Sequence, residues 1–525
     1  MIKSNTLTKR IFAAALSATI LFSFALTGCS NNGENSSGES QTSQSSVSTV
    51  TIDDVPDAIK SEHYQISLAF ISYMFNDMYN TYSSTWEYYY GFDPTLSLKE
   101  QYTPESGSSQ TWYDYLLSQV KEQVCQVMVF AEAAKADGMT LTEEEENTIS
   151  SQLSSLSDEA AEASQSMEDY IVSQCGPGVT EADLKNYSEI LILAQKYYKK
   201  SSESFTYTDA DYDEYYQNNT ESFLYCDYLS YSFTTTLGDD ATDEEKEADA
   251  KARKALADEL AKCTTQEDFE AYVRDYLKKN PSLVITATTT SDGETSEPTQ
   301  EEIDTAIEDK ISKMMVKEYS YETSSTGGQW LFADERKKGD TTVFEGETTY
   351  TVALMLKPAY RDESVGKNVR HILIKTASTS STTSESSGLT DEEAKAKAEE
   401  IYQEWKDGEH TEESFGVLAT KYSEDSGSTS SGGLYENIAE GDMVTEFNDW
   451  CFDQNRKPGD TDIIKTTYGY HIMYFVGNGL PAWKQTADTA MRSNDTYEKY
   501  QEMKEQYTVT FNDDALSKLS IISSS

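Results

Sequence analysis

Cysteine, histidine and proline are all scarce in this chain. Its 525 residues include six cysteines, four histidines and nine prolines. No Cys-x-x-Cys pair and no Cys/His spacing of a zinc site occurs, so we expect no metal and no cofactor. Single scattered cysteines are most often small buried apolar residues, and we expect this rather than a disulfide framework for Cys125, Cys175, Cys226, Cys263 and Cys451.

Basic residues are also few. Lysine and arginine number 42 against 92 aspartates and glutamates, which gives a net charge of −50. A polyanion repels the phosphates of nucleic acid and the anionic surface of a membrane. We therefore expect no nucleic-acid partner, and a protein body that stands away from the bilayer.

The N-terminus has the pattern of a secretory signal. "MIKSNTLTKR" carries three positive charges, and an apolar run from Ile11 to Leu26 precedes "LTGCS". Polar residues interrupt that run, and it is shorter than the ~20 apolar residues of a membrane span. The small residues before Cys29 resemble a bacterial lipobox, which predicts a leader at residues 1–28 and lipidation of Cys29. A signal peptide with an incidental cysteine is the alternative.

Residues 29–52 are rich in serine and have no large apolar side chain before Val47. This composition predicts a flexible tether. The chain beyond it is too long for one ordinary domain, so we expect two to four.

Helical periodicity dominates the next part of the chain, from Asp57 to about Phe205. The pattern predicts a helix that ends at Gly138, and capping boxes that open helices at Thr142 and Thr180. Residues 480–525 predict a C-terminal helix and a tail with a short "TVTF" strand. We assign residues 53–221 to a helical domain that residues 487–515 complete.

The middle of the chain contains an internal repeat. Two segments match in composition and order, and each unit reads as strand, helix, helix, strand. The matching pairs are Asp243–Tyr276 with Asp391–Tyr422, Arg336–Phe344 with Arg456–Ile464, and the strands Cys226–Phe233 with Val369–Thr376.

The second copy has a histidine in its first and its last strand, His371 in "VRHILIK" and His471 in "YGYHIMYF". If these strands are neighbours in one antiparallel sheet, the two side chains can face each other. Between them come Asp425 and, four residues apart on an expected helical turn, Met443 and Phe447. An apolar cup of this kind suits a pyrrolidine ring.

With these motifs, residues 365–479 resemble a parvulin-type peptidyl-prolyl isomerase domain. The motifs are "HIL", "F…LA..YS.D", "GG", "G.MV.EF", "KPGD" and "YGYHI". The family's "GGDLG" reads "GGLYE" here, with Leu434 for the aspartate and Glu436 for the glycine. The resemblance implies that the catalytic residues are His371, Asp425 and His471. It implies that the proline-binding residues are Tyr435, Met443, Phe447 and Tyr468.

The resemblance gives the histidines the role of a hydrogen-bonded frame that holds the pocket and tunes Asp425. The loop "TASTSSTTSESSG" has no lysine or arginine, so selectivity for phosphoserine-proline is not expected. In the first copy, residues 222–358, we place Tyr228 at the position of His371 and Ala353 at that of His471, and we find no Met/Phe cup. We therefore expect a degenerate parvulin-like domain there.

The expected fold class is α+β multidomain, with a helical chaperone-like domain and two parvulin-like domains built on small antiparallel sheets. The whole chain resembles extracytoplasmic foldases of the bacterial envelope. This implies a lipid-anchored isomerase that acts on X–Pro bonds of unfolded exported polypeptides outside the cytoplasmic membrane. Three alternatives stay open: a non-catalytic holdase or scaffold, helices that only support the catalytic unit, and a solute-binding lipoprotein with two α/β lobes.

Overall fold

The computed structural model describes residues 58–104, 109–238, 240–289, 295–377 and 388–521. The predicted leader, Cys29 and the tether lie outside these ranges, as do residues 378–387 of the Ser/Thr-rich loop. The described residues belong to two compact units, one of residues up to 206 together with those from 489 onward, and the other of residues 207–488. None of the helices in the described ranges is long and apolar enough to cross a bilayer.

The helices are numbered in chain order. They are α1 Leu68–Tyr90, α2 Trp112–Ala136, α3 Glu143–Glu162, α4 Met167–Cys175, α5 Glu181–Glu203, α6 Asp209–Asn218, α7 Asp243–Leu260, α8 Gln266–Lys279, α9 Gln300–Ser312, α10 Thr326–Leu331, α11 Asp391–Asp407, α12 Glu412–Tyr422, α13 Thr445–Phe452, α14 Ala482–Gln506 and α15 Asp513–Leu516.

The strands follow the same numbering. They are β1 Ile59–Lys60, β2 Gln65–Ile66, β3 Leu224–Thr234, β4 Thr288–Thr289, β5 Thr295–Ser296, β6 Met315–Ser320, β7 Thr341–Glu345, β8 Thr349–Arg361, β9 Val365–Lys375, β10 Leu434–Ile438, β11 Thr461–Lys465, β12 Gly469–Pro481 and β13 Thr510–Phe511.

The first unit is helical, and its local signals are those that the sequence predicted. Thr142 and Thr180 each form a capping box, and Gly138 follows α2 with a φ of +73°. Helix α2 is buried without interruption from Val124 to Ala134 and forms the centre of the core. Each fully buried Val, Met or Phe on it contributes about 1.5–3 kcal/mol to folding.

One part of the predicted helical region is not helical. Residues 59–66 form the hairpin β1–β2, and β13 pairs with the other edge of β1. Helix α1 begins only at Leu68, because the side chain of Ser67 caps its first turn. The predicted "TVTF" strand is confirmed at Thr510–Phe511 as β13, which makes β1 the central strand of a three-stranded sheet.

The second unit contains two four-stranded antiparallel sheets with the same strand order, β6-β3-β8-β7 and β10-β9-β12-β11. On one face, each sheet packs against its helix pair, α7 with α8 and α11 with α12. The predicted internal repeat and the α+β fold are therefore confirmed, and nothing in these sheets fits the α/β lobes of a solute-binding protein. The first copy also contains α9, which the repeat did not predict.

The predicted domain boundary at residue 221 stays a prediction. Helix α6 belongs to the second unit in the structure, where the Tyr212 hydroxyl donates to Asp488 at 2.7 Å and Lys484 bonds Asp209 at 2.6 Å.

Main-chain hydrogen bonds align the two copies residue by residue. The N–H of Ser230 donates to the carbonyl of Met314 at 3.0 Å, as His371 donates to Gly433 at 2.8 Å. The N–H groups of Gly339 and Gly459 donate to Met355 and Phe475 at 2.8 Å in both copies.

This alignment corrects two sequence assignments. The counterpart of His371 is Ser230, two residues beyond Tyr228, and the counterpart of His471 is Thr351, two residues before Ala353. The error arose because side chains two residues apart share a sheet face, so alternation alone does not fix the register.

Candidate active site

The two histidines lie diagonally on neighbouring strands. In the register of β9 and β12, His371 is opposite Met473 and His471 is opposite Leu373. Both side chains point to the sheet face that the helix pair leaves uncovered, and both are at most 5% exposed. Their Nδ1 atoms are 3.1 Å apart and the rings stack with centroids 5.3 Å apart. The structure thus brings together two residues that are 100 positions apart in the sequence.

Asp425 lies at the other ring nitrogen of His371, Nε2, and ends the hydrogen-bond network there. Three side chains reach its Oδ2 atom: Nε2 of His371 at 2.8 Å, Oγ of Ser428 at 2.5 Å and the Tyr435 hydroxyl at 3.0 Å. The hydrogen bond from His371 is the largest cause that holds the pKa of Asp425 well below its usual range. The carboxylate is therefore ionised at neutral pH and acts only as an acceptor.

Burial, and to a lesser extent the nearby His371, lower the pKa of His471 to about 3. His471 is therefore neutral at pH 7, with one donor and one acceptor nitrogen. Its Nε2 atom lies 2.8 Å from the hydroxyl of Thr466, which itself accepts the N–H of Tyr468 at 3.1 Å.

One assignment of donors and acceptors satisfies every bond. In this assignment Thr466 donates to His471, His471 donates through Nδ1 to His371, and His371 donates through Nε2 to Asp425. All hydrogen bonds then run in one direction and end on the carboxylate.

The apolar part of the site faces the same histidines. The Phe447 ring, 3% exposed, meets His371 and His471 edge-on with centroids 5.4 and 5.6 Å away. The Tyr435 ring lies 5.3 Å from His371, and Met443 packs in the same cluster. Met443 precedes helix α13 by two residues, so it does not share a helical turn with Phe447 as the sequence suggested.

Tyr468 has a more peripheral position. It lies in the turn between β11 and β12, its side chain is 59% exposed, and its backbone N–H bonds Thr466. Within the described ranges, no side-chain hydrogen bond or ring contact joins Tyr468 to the histidine network, so its role as a proline-binding residue stays a prediction.

Sequence reasoning missed two residues of the network, Ser428 and Thr466. Both side chains are buried and hydrogen-bonded to a histidine or to Asp425. Ser428 lies three residues after Asp425, and this spacing could have indicated a local hydroxyl–carboxylate contact. The described residues contain no group of three His, Cys, Asp or Glu side chains that could hold a metal ion.

The first copy lacks the two histidines, the threonine and the phenylalanine at the matching positions. Ser230 and Thr351 replace the histidines, and Gly346 stands at the position of Thr466. In both copies an arginine donates through Nε to the carbonyl of a tryptophan six residues earlier, Arg336 to Trp330 and Arg456 to Trp450. Counting back three residues from each tryptophan places Gly327 at the position of Phe447.

Comparison with known proteins agrees with this geometry. Residues 354–477 match the model of the PPIC-type PPIASE domain, and this part of the chain is a parvulin-type peptidyl-prolyl isomerase domain. The chain is 31% identical over 175 residues to a foldase protein PrsA of Staphylococcus aureus, which covers 32% of this chain and 51% of that protein. It is 32% identical over 121 residues to foldase protein PrsA 1 of Listeria innocua, covering 23% and 34%.

The chain thus spans about half the length of the first of these relatives. Among solved structures, the crystal structure of PrsA from Bacillus subtilis has 17% identity and a TM-score of 0.18, with 65% of this chain and 90% of that chain covered. Because this TM-score is low, the fold assignment rests on the strand order and on the domain match.

Proposed function

We propose that the chain is a lipid-anchored foldase whose second parvulin-type domain catalyses cis–trans isomerisation of X–Pro bonds in exported polypeptides. The observation that carries this proposal is the joint position of the His371–His471–Asp425 network and the apolar cup around Phe447. The clients are unfolded or partly folded chains at the outer face of the cytoplasmic membrane.

The reaction needs no covalent step. Amide resonance sets a barrier of about 20 kcal/mol to rotation, and catalysis means stabilising the twisted amide. The cup around Phe447 holds the pyrrolidine ring, while the buried hydrogen-bonded histidines keep the pocket in one shape. Asp425 and Tyr435 are the polar groups beside the rotating carbonyl and nitrogen.

A proline-peptide exchange assay on the full chain tests the proposal. We expect acceleration over the uncatalysed rate, and its loss in Phe447→Gly. Val417→Ala is a matched control, because Val417 is 63% exposed on α12, which packs on the other sheet face. No acceleration by the unchanged chain would leave the non-catalytic holdase as the better description.

A separate observation supports a second function for the helical unit, the binding of unfolded clients without catalysis. Six of the exposed large apolar side chains fall within 21 residues, and they are Tyr82, Tyr88, Tyr89, Tyr90, Leu96 and Tyr102. Such a concentration is typical of an interaction surface. We expect Tyr88→Ser with Tyr89→Ser to weaken suppression of client aggregation and to leave the isomerase rate unchanged. Equal suppression by the variant would assign these tyrosines no role in client binding.

The lipid anchor is tested at Cys29. Cys29→Ala should abolish processing by the lipoprotein pathway or release the protein to the medium. Detergent-phase partitioning with normal processing in this variant would contradict the lipobox assignment.

A further inference from the structure

The wall of the proline pocket comes largely from one acidic segment. Residues 423–455 supply Asp425, Tyr435, Met443 and Phe447, and they include eight aspartates and glutamates but no lysine, arginine or histidine. The pocket itself is defined independently of these charges, by the histidine network and the apolar cup.

Most of these acids remain unneutralised. Asp425 is bound by its three donors, and Asp453 lies 4.0 Å from Arg456. The other six acids are exposed and have no ion-pair partner within the described ranges. They are Glu424, Glu436, Glu440, Asp442, Glu446 and Asp449.

Two of these acids adjoin the apolar cup along the chain. Asp442 precedes Met443 and Glu446 precedes Phe447, so each is one Cα step of about 3.8 Å from a pocket residue. Asp442 is also fixed, because its carboxylate accepts the N–H of Ala439 at 2.8 Å. At physiological salt the screening length is about 8 Å, so the field of both carboxylates reaches the pocket rim.

Cations of the same sheet offset this charge only in part. Arg370 pairs with Glu412 at 3.0 Å and Lys465 with Asp391 at 2.5 Å. The ammonium of Lys367 lies over the ring of Phe452 at 5.6 Å. Lys375, the remaining cation of the sheet, ends β9 beside Glu424, whose carboxylate accepts its N–H at 2.6 Å. The rim near Met443 and Phe447 is therefore negative.

We propose that this acidic rim makes the domain selective for prolines that follow a lysine or an arginine, with Asp442 and Glu446 as specificity-determining residues. The inference rests on the proposed isomerase function. A side chain that precedes the bound proline lies at the rim, where a cation is attracted and a carboxylate or phosphate is repelled. Long basic side chains can lie along the aromatic wall and keep their charge at the acids.

Exchange spectroscopy on peptides that differ only before the proline, Lys-Pro, Ala-Pro and Glu-Pro, tests this with the full chain. We expect kcat/KM for Lys-Pro to exceed that for Glu-Pro about tenfold at low salt, and about twofold in 0.5 M NaCl, because salt screens the rim. Ala-Pro should lie between them.

The double variant Asp442→Asn with Glu446→Gln should reduce the low-salt ratio to about threefold while the Ala-Pro rate stays within about twofold. Glu392→Gln with Glu409→Gln is the matched control. It removes the same charge from exposed positions of α11 and the loop after it, which belong to the helix side of the sheet, and it should leave the ratio unchanged.

The outcomes separate this inference from the proposed function. If Ala-Pro is not accelerated, the isomerase proposal fails and the inference fails with it. If Ala-Pro is accelerated but Lys-Pro and Glu-Pro turn over equally, or if the control pair changes the ratio as much as the rim pair, only the selectivity is wrong.

Discussion

The two copies of the repeat have the same scaffold and different surfaces. Both keep the strand order, the helix pair and the arginine that stacks on a tryptophan, at 4.1 Å for Arg336 over Trp330 and 4.0 Å for Arg456 over Trp450. On the sheet face opposite the helix pair, however, the first copy has Ser230 and Thr351 where the second has its two histidines. The fold is therefore maintained by the helix-side core, and a site is a separate property of the opposite face.

The largest effect on stability and activity should come from replacing Phe447 in the second copy by glycine, the residue at the matching position of the first copy. Phe447→Gly removes a ring that is 3% exposed and places glycine inside α13. We expect a loss of stability of at least about 3 kcal/mol and a fall in isomerase rate of about 100-fold. Urea unfolding and proline-peptide exchange measure the two effects.

Phe447→Leu separates the contributions of volume and ring. It should recover most of the stability but only part of the rate. An isomerase rate in Phe447→Gly equal to that of the unchanged protein would show that the cup has no part in the reaction.

A smaller effect is expected from the histidine pair. His471→Ala leaves Nδ1 of His371 and the hydroxyl of Thr466 without their partner, which costs about 1–3 kcal/mol. Because the pocket loosens, the isomerase rate should fall about tenfold. His410→Ala is the control within the same domain, since His410 packs on Trp405 and is outside the network. An equal loss of rate in both variants would contradict a specific role for His471.

The next largest difference between the two copies should be the pH dependence of their stability. The pKa of His471 is about 3 in the folded protein and about 6.5 when unfolded, so below pH 6.5 the unfolded chain binds more protons. Stability of the second copy should therefore fall as the pH drops from about 6.5 towards 3. The depressed pKa of Asp425 adds a further loss only below about pH 4.

Hydrogen exchange of β12 amides, corrected for intrinsic rates, measures this slope. We expect a steeper decline between pH 6.5 and 4.5 in the unchanged protein than in His471→Asn. The amides of β8 in the first copy should show no such difference, because Thr351 does not titrate. Parallel curves for the two proteins at β12 would mean that His471 is not a neutral buried group.

The smallest expected effect is a null result. Ser230→His with Thr351→His installs the two imidazoles in the first copy, but Gly327 and Gly346 leave it without the cup and without the threonine hydroxyl. In a chain whose second site carries Phe447→Gly, we expect no isomerase activity above background. Measurable activity from this graft would mean that the histidines alone suffice.

The sequence predicted the local features well because their causes are local. The capping boxes at Thr142 and Thr180 and the stop at Gly138 depend on residues within one helical turn. The hairpin at residues 59–66 was missed because its third strand, β13, is about 450 residues away in the chain. The shift between Tyr228 and Ser230 was missed because only interstrand hydrogen bonds fix a register.

By itself, the sequence determined which residues are available for chemistry: two histidines in matching strands, Asp425, and apolar residues near Met443 and Phe447. Only the tertiary structure decided that His371 and His471 meet diagonally, that Ser428, Tyr435 and His371 all bond one carboxylate oxygen, and that Thr466 completes the chain. The reason is that pKa values and hydrogen-bond direction depend on burial and on contacts between segments up to 100 residues apart, which no local pattern encodes.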